Sequence, residues 1–217
     1  VINDFNNSAD ATDTYPVGTT IVTWTVTDIN NNFTTCSMTI HVIDNEQPVI
    51  TCPTDITVNS DAAVCEAFIN IPAIISADNC GVASVVNNYN NTSDATDIYP
   101  VGTTNITWTV TDIHGNVSTC VQEIVVNDME LPLITCPADI TQTADAGLCS
   151  ALVNIAQPAT SDNCAVASTI NNYNGTGDAT DVYPVGITNI TWIVTHIHGN
   201  VDSCSMVITV TDNELPT

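Results

Sequence analysis

The sequence lacks lysine and arginine altogether, although it contains 24 aspartate and glutamate residues and has a formal net charge of −24. Proteins hold phosphate groups and nucleic acids chiefly with basic side chains, so this composition excludes nucleic acid as a partner. It also excludes side-chain salt bridges, except those that involve one of the four histidines. Trypsin-like proteases, which cleave after lysine or arginine, find no site in this sequence.

Long apolar runs and aromatic residues are scarce as well. No run approaches the roughly 18 apolar residues that a membrane-spanning helix needs, and no signal peptide is evident. We therefore expect any membrane attachment to lie outside this sequence. Only 11% of the residues are charged and 44% are hydrophobic, a balance that favours a folded chain over a disordered one.

What the sequence does contain is an 84-residue repeat whose cysteines keep register. A repeat of this kind indicates that each copy is one structural unit and that the array carries the function. We predict complete domains at residues 44–127 and 128–211, preceded by the second half of a repeat at 1–43 and followed by the start of another at 212–217. We therefore expect this sequence to be a segment of a longer array of repeats.

Short alternating runs between turn residues predict an all-β fold. Ile106, Trp108 and Val110 alternate with threonines, so we expect them to face the core. The pattern favours tandem immunoglobulin-like antiparallel β-sandwiches, one for each repeat. Predicted strands of the repeat 44–127 are residues 51–59, 65–71, 82–89, 105–111 and 117–126.

Nine cysteines cannot all pair within one chain, but four per repeat can, which leaves Cys36 over. Three connectivities are open for four cysteines. An apparent strand of about 26 Å, at about 3.3 Å per residue, leads away from Cys36 and disfavours a bond with Cys52. The wide spacing without a Cys-x-x-Cys pair disfavours zinc, so disulfides and an oxidising, secreted or cell-surface location are expected. We favour Cys52–Cys65 and Cys80–Cys120, with Cys136–Cys149 and Cys164–Cys204 as their copies.

Four linked motifs, at Pro48–Ile56, Asp78–Cys80, Tyr99–Thr104 and Gly115–Cys120, resemble the hyalin repeat (HYR) domain family. The resemblance covers both complete repeats and the partial one. It implies immunoglobulin-like domains that occur in tandem in extracellular matrix and bacterial surface proteins and are associated with adhesion.

Acidic and amide side chains are predicted to converge where one repeat meets the next. Carboxylate and amide oxygens on flexible loops suit Ca²⁺, and no basic residue is present to neutralise them. The alternative is that these residues only cap turns. The second site has His196 where the first has Asp112, so we expect it to be weaker or different. The predicted ligands are Asp44, Glu46, Asp78, Asn79 and Asp112 at the first site, and Asp128, Glu130, Asp162 and Asn163 at the second.

The sequence bears on three classes of function. The sequence favours a structural segment of an extracellular stalk, adhesin or surface filament, whose partners are further repeats or other copies of the chain. The alternative is an adhesion module that binds carbohydrate or protein through the surface of each repeat. An enzyme is disfavoured, because no nucleophile motif or inward carboxylate pair stands out.

Overall fold

The computed structural model describes residues 1–215, and this part of the chain is all-β. Within it, no helix has the length and apolarity needed to cross a membrane. The chain forms two compact units: unit 1 comprises Val1–Pro53, Ala73–Ala95 and Ile106–Gln122, and unit 2 comprises Thr54–Pro72, Thr96–Asn105 and Glu123–Thr217. These units do not follow the 84-residue period, and the domain boundaries given above stay a prediction. Of the last predicted segment, residues 216–217 lie outside the described part.

The strands recur with the repeat. Residues 1–43 hold β1 (Ile2–Asn3), β2 (Gly18–Thr27) and β3 (Phe33–Val42). Residues 44–127 hold β4 (Val49–Thr51), β5 (Ile56–Asn59), β6 (Glu66–Ile69), β7 (Ile75–Ala77), β8 (Val82–Asn87), β9 (Asp97–Pro100), β10 (Gly102–Asp112) and β11 (Val117–Asn127). Residues 128–211 hold β12 (Leu133–Thr135), β13 (Ile140–Thr143), β14 (Ser150–Val153), β15 (Ala159–Ser161), β16 (Val166–Asn171), β17 (Asp181–Pro184), β18 (Gly186–His196) and β19 (Val201–Thr211).

The repeat 128–211 lies wholly in unit 2 and shows the sandwich in full. Its larger sheet has the strand order β13-β19-β18-β16, and two further ladders pair β14 with β17 and β12 with β15. β13 joins β19 in parallel, with Ile140 opposite Ile208, while the other pairs of this repeat are antiparallel. The repeat 44–127 has the same order, β5-β11-β10-β8, with ladders β4-β7 and β6-β9. The predicted immunoglobulin-like sandwich is confirmed.

Alternation along the long strands supplies the core. In unit 2, Ile190, Trp192 and Val194 of β18 are fully buried and belong to one apolar cluster. The same positions of β10 in unit 1 are buried too, which confirms the predicted inward face of Ile106, Trp108 and Val110. Burial of such side chains contributes about 1.5–3 kcal/mol each.

The short strands were harder to predict than the long ones. The strand expected over residues 51–59 is two strands, β4 and β5, because Pro53 lies in the gap and has no amide hydrogen for a ladder. β7 and β9 were not predicted at all. β7 is three residues long, and β9 ends at Pro100, which resembles turn sequence.

Tyr183 shows how closely the core of unit 2 is packed. Its hydroxyl donates a hydrogen bond of 2.5 Å to the carbonyl oxygen of Ala179, and its ring stacks on Tyr173 with centroids 4.5 Å apart. Burial, with smaller effects of Tyr173 and the Asp181 and Asp178 carboxylates, raises the pKa of Tyr183 to about 12.

We expect Tyr183 to ionise later than an exposed tyrosine in an alkaline titration followed by tyrosinate absorbance. The folded chain holds the proton after the unfolded chain loses it near pH 10, so this group's stabilisation is complete below about pH 10 and is lost as pH rises towards 12. Tyr183→Phe should remove a late-ionising component, and Tyr173→Phe, at a more exposed ring, serves as the control. A titration curve that Tyr183→Phe leaves unchanged would contradict the assignment.

Candidate functional site at the repeat boundaries

The first cluster consists of Asp44, Asp78 and Asp112, all in unit 1. Asp44 follows β3, Asp78 follows β7, and Asp112 ends β10. One carboxylate oxygen of each residue lies within 4.8 Å of the other two. Asp44 and Asp112 are only 8% and 2% exposed, so the negative charges are close together with little water around them.

Asp112 is held by the turn that follows β10. Its Oδ1 accepts hydrogen bonds from the backbone amides of His114 (2.8 Å) and Asn116 (2.9 Å), and its Oδ2 accepts one from the Asn116 side-chain amide (2.7 Å). Burial acts to raise the pKa of Asp112, but these bonds and one from the Gly115 amide outweigh it and hold that pKa below its usual value. Asp112 is therefore ionised at neutral pH.

The donors around Asp44 lie farther from its carboxylate than the donors around Asp112 lie from theirs. Its Oδ1 accepts the Glu46 amide at 3.1 Å, and its Oδ2 lies 3.0 Å from Nδ1 of His114. The bond from the Glu46 amide is the main reason that the pKa of Asp44 is lowered. The hydrogen bond of the Cys80 thiol to Asp44 in turn raises the pKa of Cys80, so the thiol stays protonated.

The two oxygens of Asp78 have different surroundings. Oδ2 accepts hydrogen bonds from the backbone amides of Cys80 (2.8 Å) and Gly81 (2.9 Å). This is the turn-capping role that the sequence offered as the alternative to calcium binding. Oδ1 is buried and has no hydrogen-bond partner among residues 1–215. Burying a carboxylate oxygen costs free energy unless a hydrogen-bond donor or a cation faces it. The turn cap therefore satisfies only one of the two carboxylate oxygens of Asp78.

The second cluster consists of Asp128, Asp162 and His196 in unit 2, and all three side chains are fully buried. Nε2 of His196 lies 3.0 Å from Oδ2 of Asp128 and 3.1 Å from Oδ1 of Asp162. The His198 amide donates to Nδ1 of His196 at 3.0 Å, whereas Nε2 of His196 makes no hydrogen bond of acceptable geometry to either carboxylate. Oδ2 of Asp128 and Oδ2 of Asp162 are likewise buried without a hydrogen-bond partner among the described residues. An imidazole thus stands where the first cluster has a third carboxylate.

The other predicted ligands have different surroundings. Glu46 and Asn79 are exposed. The Glu130 carboxylate accepts the Ala63 amide at 3.1 and 3.2 Å, and Nδ2 of Asn163 donates to the Val64 carbonyl at 3.0 Å. Glu130 and Asn163 therefore tie the repeat 128–211 to the loop before β6, while Oδ1 of Asn163 is buried without a hydrogen-bond partner among the described residues.

The disulfides pair differently from the prediction. Cys52 bonds to Cys120 and Cys136 bonds to Cys204, and Cys65 bonds to Cys164 of the next repeat. Cys36, Cys80 and Cys149 are free thiols. The predicted pairs Cys52–Cys65, Cys80–Cys120, Cys136–Cys149 and Cys164–Cys204 are therefore wrong.

Short separation along the chain was a poor guide to pairing, because β5 extends the chain between Cys52 and Cys65. A disulfide needs Cα atoms within about 7 Å. Cys65 and Cys164 meet this condition at 4.7 Å, beside the Asn163 to Val64 hydrogen bond. The only available signal for this bond was the cysteine register itself, which is equally compatible with pairing across repeats.

The three disulfide loops overlap. Every residue from 52 to 204 lies inside at least one loop, and residues 121–135, which connect the two complete repeats, are spanned by Cys65–Cys164 alone. A single break of the backbone in that connection leaves the two sides covalently joined.

Comparison with known proteins agrees with the repeat pattern. A model of the HYR domain matches residues 127–210. The chain is 32% identical over 196 residues to hyalin of Strongylocentrotus purpuratus, covering 87% of this chain and 16% of that protein. It is 31% identical over 215 residues to hyalin of Lytechinus variegatus, covering 96% of this chain and 39% of that protein. The chain thus spans less than half the length of these relatives.

Among solved structures, the chain is similar to the EC3-6 cis-dimer structure of protocadherin gammaB7. The identity is 16%, the TM-score is 0.35, and the match covers 89% of this chain and 58% of the other. A likeness of this strength carries no functional argument.

Cleavage with cyanogen bromide, which cuts after methionine, tests the disulfide pattern. Met129 lies in the connection spanned only by Cys65–Cys164, whereas Met38 and Met206 lie outside all three loops. We expect residues 39–206 to remain one covalent species by intact mass without reductant, and to separate at Met129 on reduction. Pairing confined to single repeats would release two fragments before reduction, as Cys65→Ser should also do.

Proposed function

Because this chain belongs, through its HYR domain at residues 127–210, to the HYR domain family, we propose that it is a structural segment of an extracellular tandem-repeat stalk, adhesin or surface filament. HYR domains are adhesion-type domains without catalytic activity. The formation of three disulfides agrees with an oxidising extracellular location. The role of the whole protein, its partners and the domain boundaries at residues 44 and 128 are part of the proposal, since the chain spans only part of its relatives.

The observation that carries the proposal is the disulfide between Cys65 and Cys164. It joins the repeat 44–127 to the repeat 128–211, whereas a chain of independent binding modules needs no bond between modules. Tension on an array passes through every connection between repeats. A covalent bond across the connection keeps the array continuous even when the connecting backbone is cut.

Hydrogen bonds hold the same connection in place. Nδ2 of Asn200 donates to the carbonyl oxygens of Asp128 (3.0 Å) and Glu130 (2.8 Å), so the backbone of the connection is bound to the turn after β18. On its other side, the Glu130 carboxylate accepts the Ala63 amide. A connection fixed on both sides bends less than a free linker of the same length.

The proposal includes a Ca²⁺ ion bound at the first cluster. Asp44 and Asp112 are buried with lowered pKa values, Oδ1 of Asp78 lacks a hydrogen-bond partner among the described residues, and the sequence offers no lysine or arginine to face them. Such a set of carboxylate oxygens fits Ca²⁺, which prefers hard oxygen ligands. Asp44, Asp78 and Asp112 would hold the ion, which would supply the positive charge that links three separate stretches of chain.

The second cluster does not fit calcium in the same way. Nε2 of His196 lies 3.0 and 3.1 Å from the oxygens of Asp128 and Asp162 that an ion would use, so an imidazole occupies the place of the third carboxylate. The two boundaries therefore differ in their chemistry.

Loss of the bond between repeats should destabilise the chain. For a loop of about 100 residues, the chain-entropy model gives about 4.7 kcal/mol, so Cys65→Ser with Cys164→Ser should lower the free energy of unfolding by up to about that amount. The matched control is Cys80→Ser with Cys149→Ser, the same change at the corresponding free cysteines, which should stay within about 0.5 kcal/mol. Denaturant unfolding gives both values.

Small-angle X-ray scattering on the same variants tests the structural role. The Cys65→Ser, Cys164→Ser variant should show a broader distribution of interatomic distances than the wild type, while the control variant should match it. If all three profiles coincide, the disulfide does not stiffen the boundary and the stalk proposal loses its main support.

Exchanging the differing residue between the clusters tests the calcium site. Titration calorimetry of the wild type should find one Ca²⁺ site, with a Kd on the order of 10⁻⁴–10⁻³ M if it resembles other extracellular modules. Asp112→His should remove this site, and His196→Asp should create a second one. Asp97→Asn, which changes a carboxylate outside both clusters, should leave binding unchanged. Calcium binding that survives Asp112→His would refute the assignment.

A further inference from the structure

The second cluster contains buried polar atoms that no hydrogen bond satisfies. Oδ2 of Asp128, Oδ2 of Asp162 and Nε2 of His196 all lack a hydrogen-bond partner among the described residues. The side chains of these three residues are fully buried, so bulk water does not reach them either. Polar groups left in this state cost free energy, and a native fold rarely keeps several together without a reason. All three residues belong to unit 2, so the cluster lies within one compact unit.

The distances within the cluster are those of neighbouring ligands around a small metal ion. Nε2 of His196 lies 3.0 Å from Oδ2 of Asp128 and 3.1 Å from Oδ1 of Asp162, yet neither contact has the geometry of a hydrogen bond. Two ligand atoms that each bind one ion at about 2.0–2.2 Å are separated by about 2.9–3.4 Å when the angle at the ion is octahedral or tetrahedral. Both observed distances fall in this range.

His198 adds a second imidazole on the side of the cluster that faces solvent. Its Nδ1 lies 4.0 Å from Oδ2 of Asp128, and its side chain is 32% exposed. The ligand atoms of Asp128, His196 and His198 all lie within 4.8 Å of one another. Sγ of Cys164 lies within the same distance, but its bond to Cys65 means that it is not a thiolate. An ion can therefore enter past His198 without opening the core.

The donor set decides which class of ion fits. Imidazole nitrogen suits Zn²⁺, Cu²⁺ and Ni²⁺, and zinc sites combine histidine with aspartate or glutamate, whereas Ca²⁺ takes oxygen ligands. The second cluster offers two imidazoles and two carboxylates. The first cluster has Asp112 at the position of His196 and so offers carboxylate oxygens from three aspartates. One substitution between repeats therefore changes the preferred ion.

We propose that Asp128, Asp162, His196 and His198 bind a transition-metal ion of the Zn²⁺ type. Nδ1 of His196 accepts the His198 amide, so Nε2 is the nitrogen that binds the ion, and the ring proton is released to solvent. The bound ion links the connection before β12, the loop after β15 and the turn after β18. The proposal depends neither on the stalk role nor on calcium at the first cluster, because all four ligands lie in unit 2.

The test measures Zn²⁺ binding to the complete, oxidised chain by titration calorimetry. Free thiols also bind zinc, so the chain carries Cys36→Ser, Cys80→Ser and Cys149→Ser. We expect one Zn²⁺ site that persists in millimolar Ca²⁺. Loss of a residue that only supports a metal ligand costs about 10–100-fold in affinity, so loss of the ligand itself in His198→Asn should weaken Zn²⁺ binding about tenfold or more. The matched control is His114→Asn, the same change at the corresponding residue of the first cluster, and it should leave Zn²⁺ binding unchanged.

Nuclear magnetic resonance of the imidazole nitrogens identifies the ligands, because the chain contains only four histidines. Zn²⁺ should shift the ring nitrogens of His196 and His198 and leave those of His41 and His114 in place. His196→Asp should also weaken Zn²⁺ binding about tenfold or more, and we expect it to fold, since Asp112 occupies the same position in the other repeat.

Three results would overturn the proposal. The first is the absence of saturable Zn²⁺ binding in millimolar Ca²⁺. The second is Zn²⁺ binding that neither His198→Asn nor His196→Asp weakens. The third is a set of Zn²⁺-induced shifts confined to His41 and His114. Each result leaves the calcium test at the first cluster unaffected, since that test uses Ca²⁺ and the Asp112→His variant.

Discussion

The absence of any lysine or arginine means that carboxylates must be stabilised by something other than basic side chains. The structure meets this constraint with short hydrogen-bonded turns. Asp10 accepts from Thr12, Asp28 from Asn32 and Asp178 from Thr180, and in each case these bonds lower the pKa of the carboxyl group. Backbone amides, asparagine side chains and threonine hydroxyls thus stabilise the ionised carboxylates, as basic side chains do in most proteins.

One position of the repeat shows that such a turn can also be capped by a side chain other than a carboxylate. Asp28, Asp112 and His196 occupy it in succession, each at the start of the same turn. Asp28 and Asp112 use one carboxylate oxygen to accept two backbone amides of the turn. His196 uses Nδ1 to accept the corresponding amide of His198 and so keeps the cap, while its Nε2 lies 3.0 Å from Asp128 and 3.1 Å from Asp162. The turn tolerates this exchange because its backbone needs only an acceptor.

The disulfides act on a larger scale than the turns. Cys52–Cys120 and Cys136–Cys204 each close a loop of their own repeat, and Cys65–Cys164 overlaps both. Small sandwiches have limited cores, and covalent bonds offset that limitation. Here the third bond also removes the weak point of a tandem array, which is the single backbone connection between neighbours. This is why the boundary, and not a pocket within one repeat, carries the proposed function.

Local patterns determined much of this fold. The alternation of Ile106, Trp108 and Val110 with threonines was enough to place a buried strand, because side chains on a strand alternate between its faces. The 84-residue cysteine register likewise indicated a repeating disulfide framework, and the convergence of Asp44, Asp78 and Asp112 follows from where loops lie in such a sandwich.

Tertiary structure alone decided which cysteines pair, and it decided the surroundings of each carboxylate. Cys65 and Cys164 are 99 residues apart in sequence, and only the packing of the loop before β6 against the next repeat brings their Cα atoms to 4.7 Å. The position of the His196 imidazole, 3.0 and 3.1 Å from two buried carboxylates, likewise depends on three separate stretches of chain that meet in the fold. Sequence patterns report periodicity along one stretch of chain, whereas these contacts depend on distances and directions between stretches that no local pattern encodes.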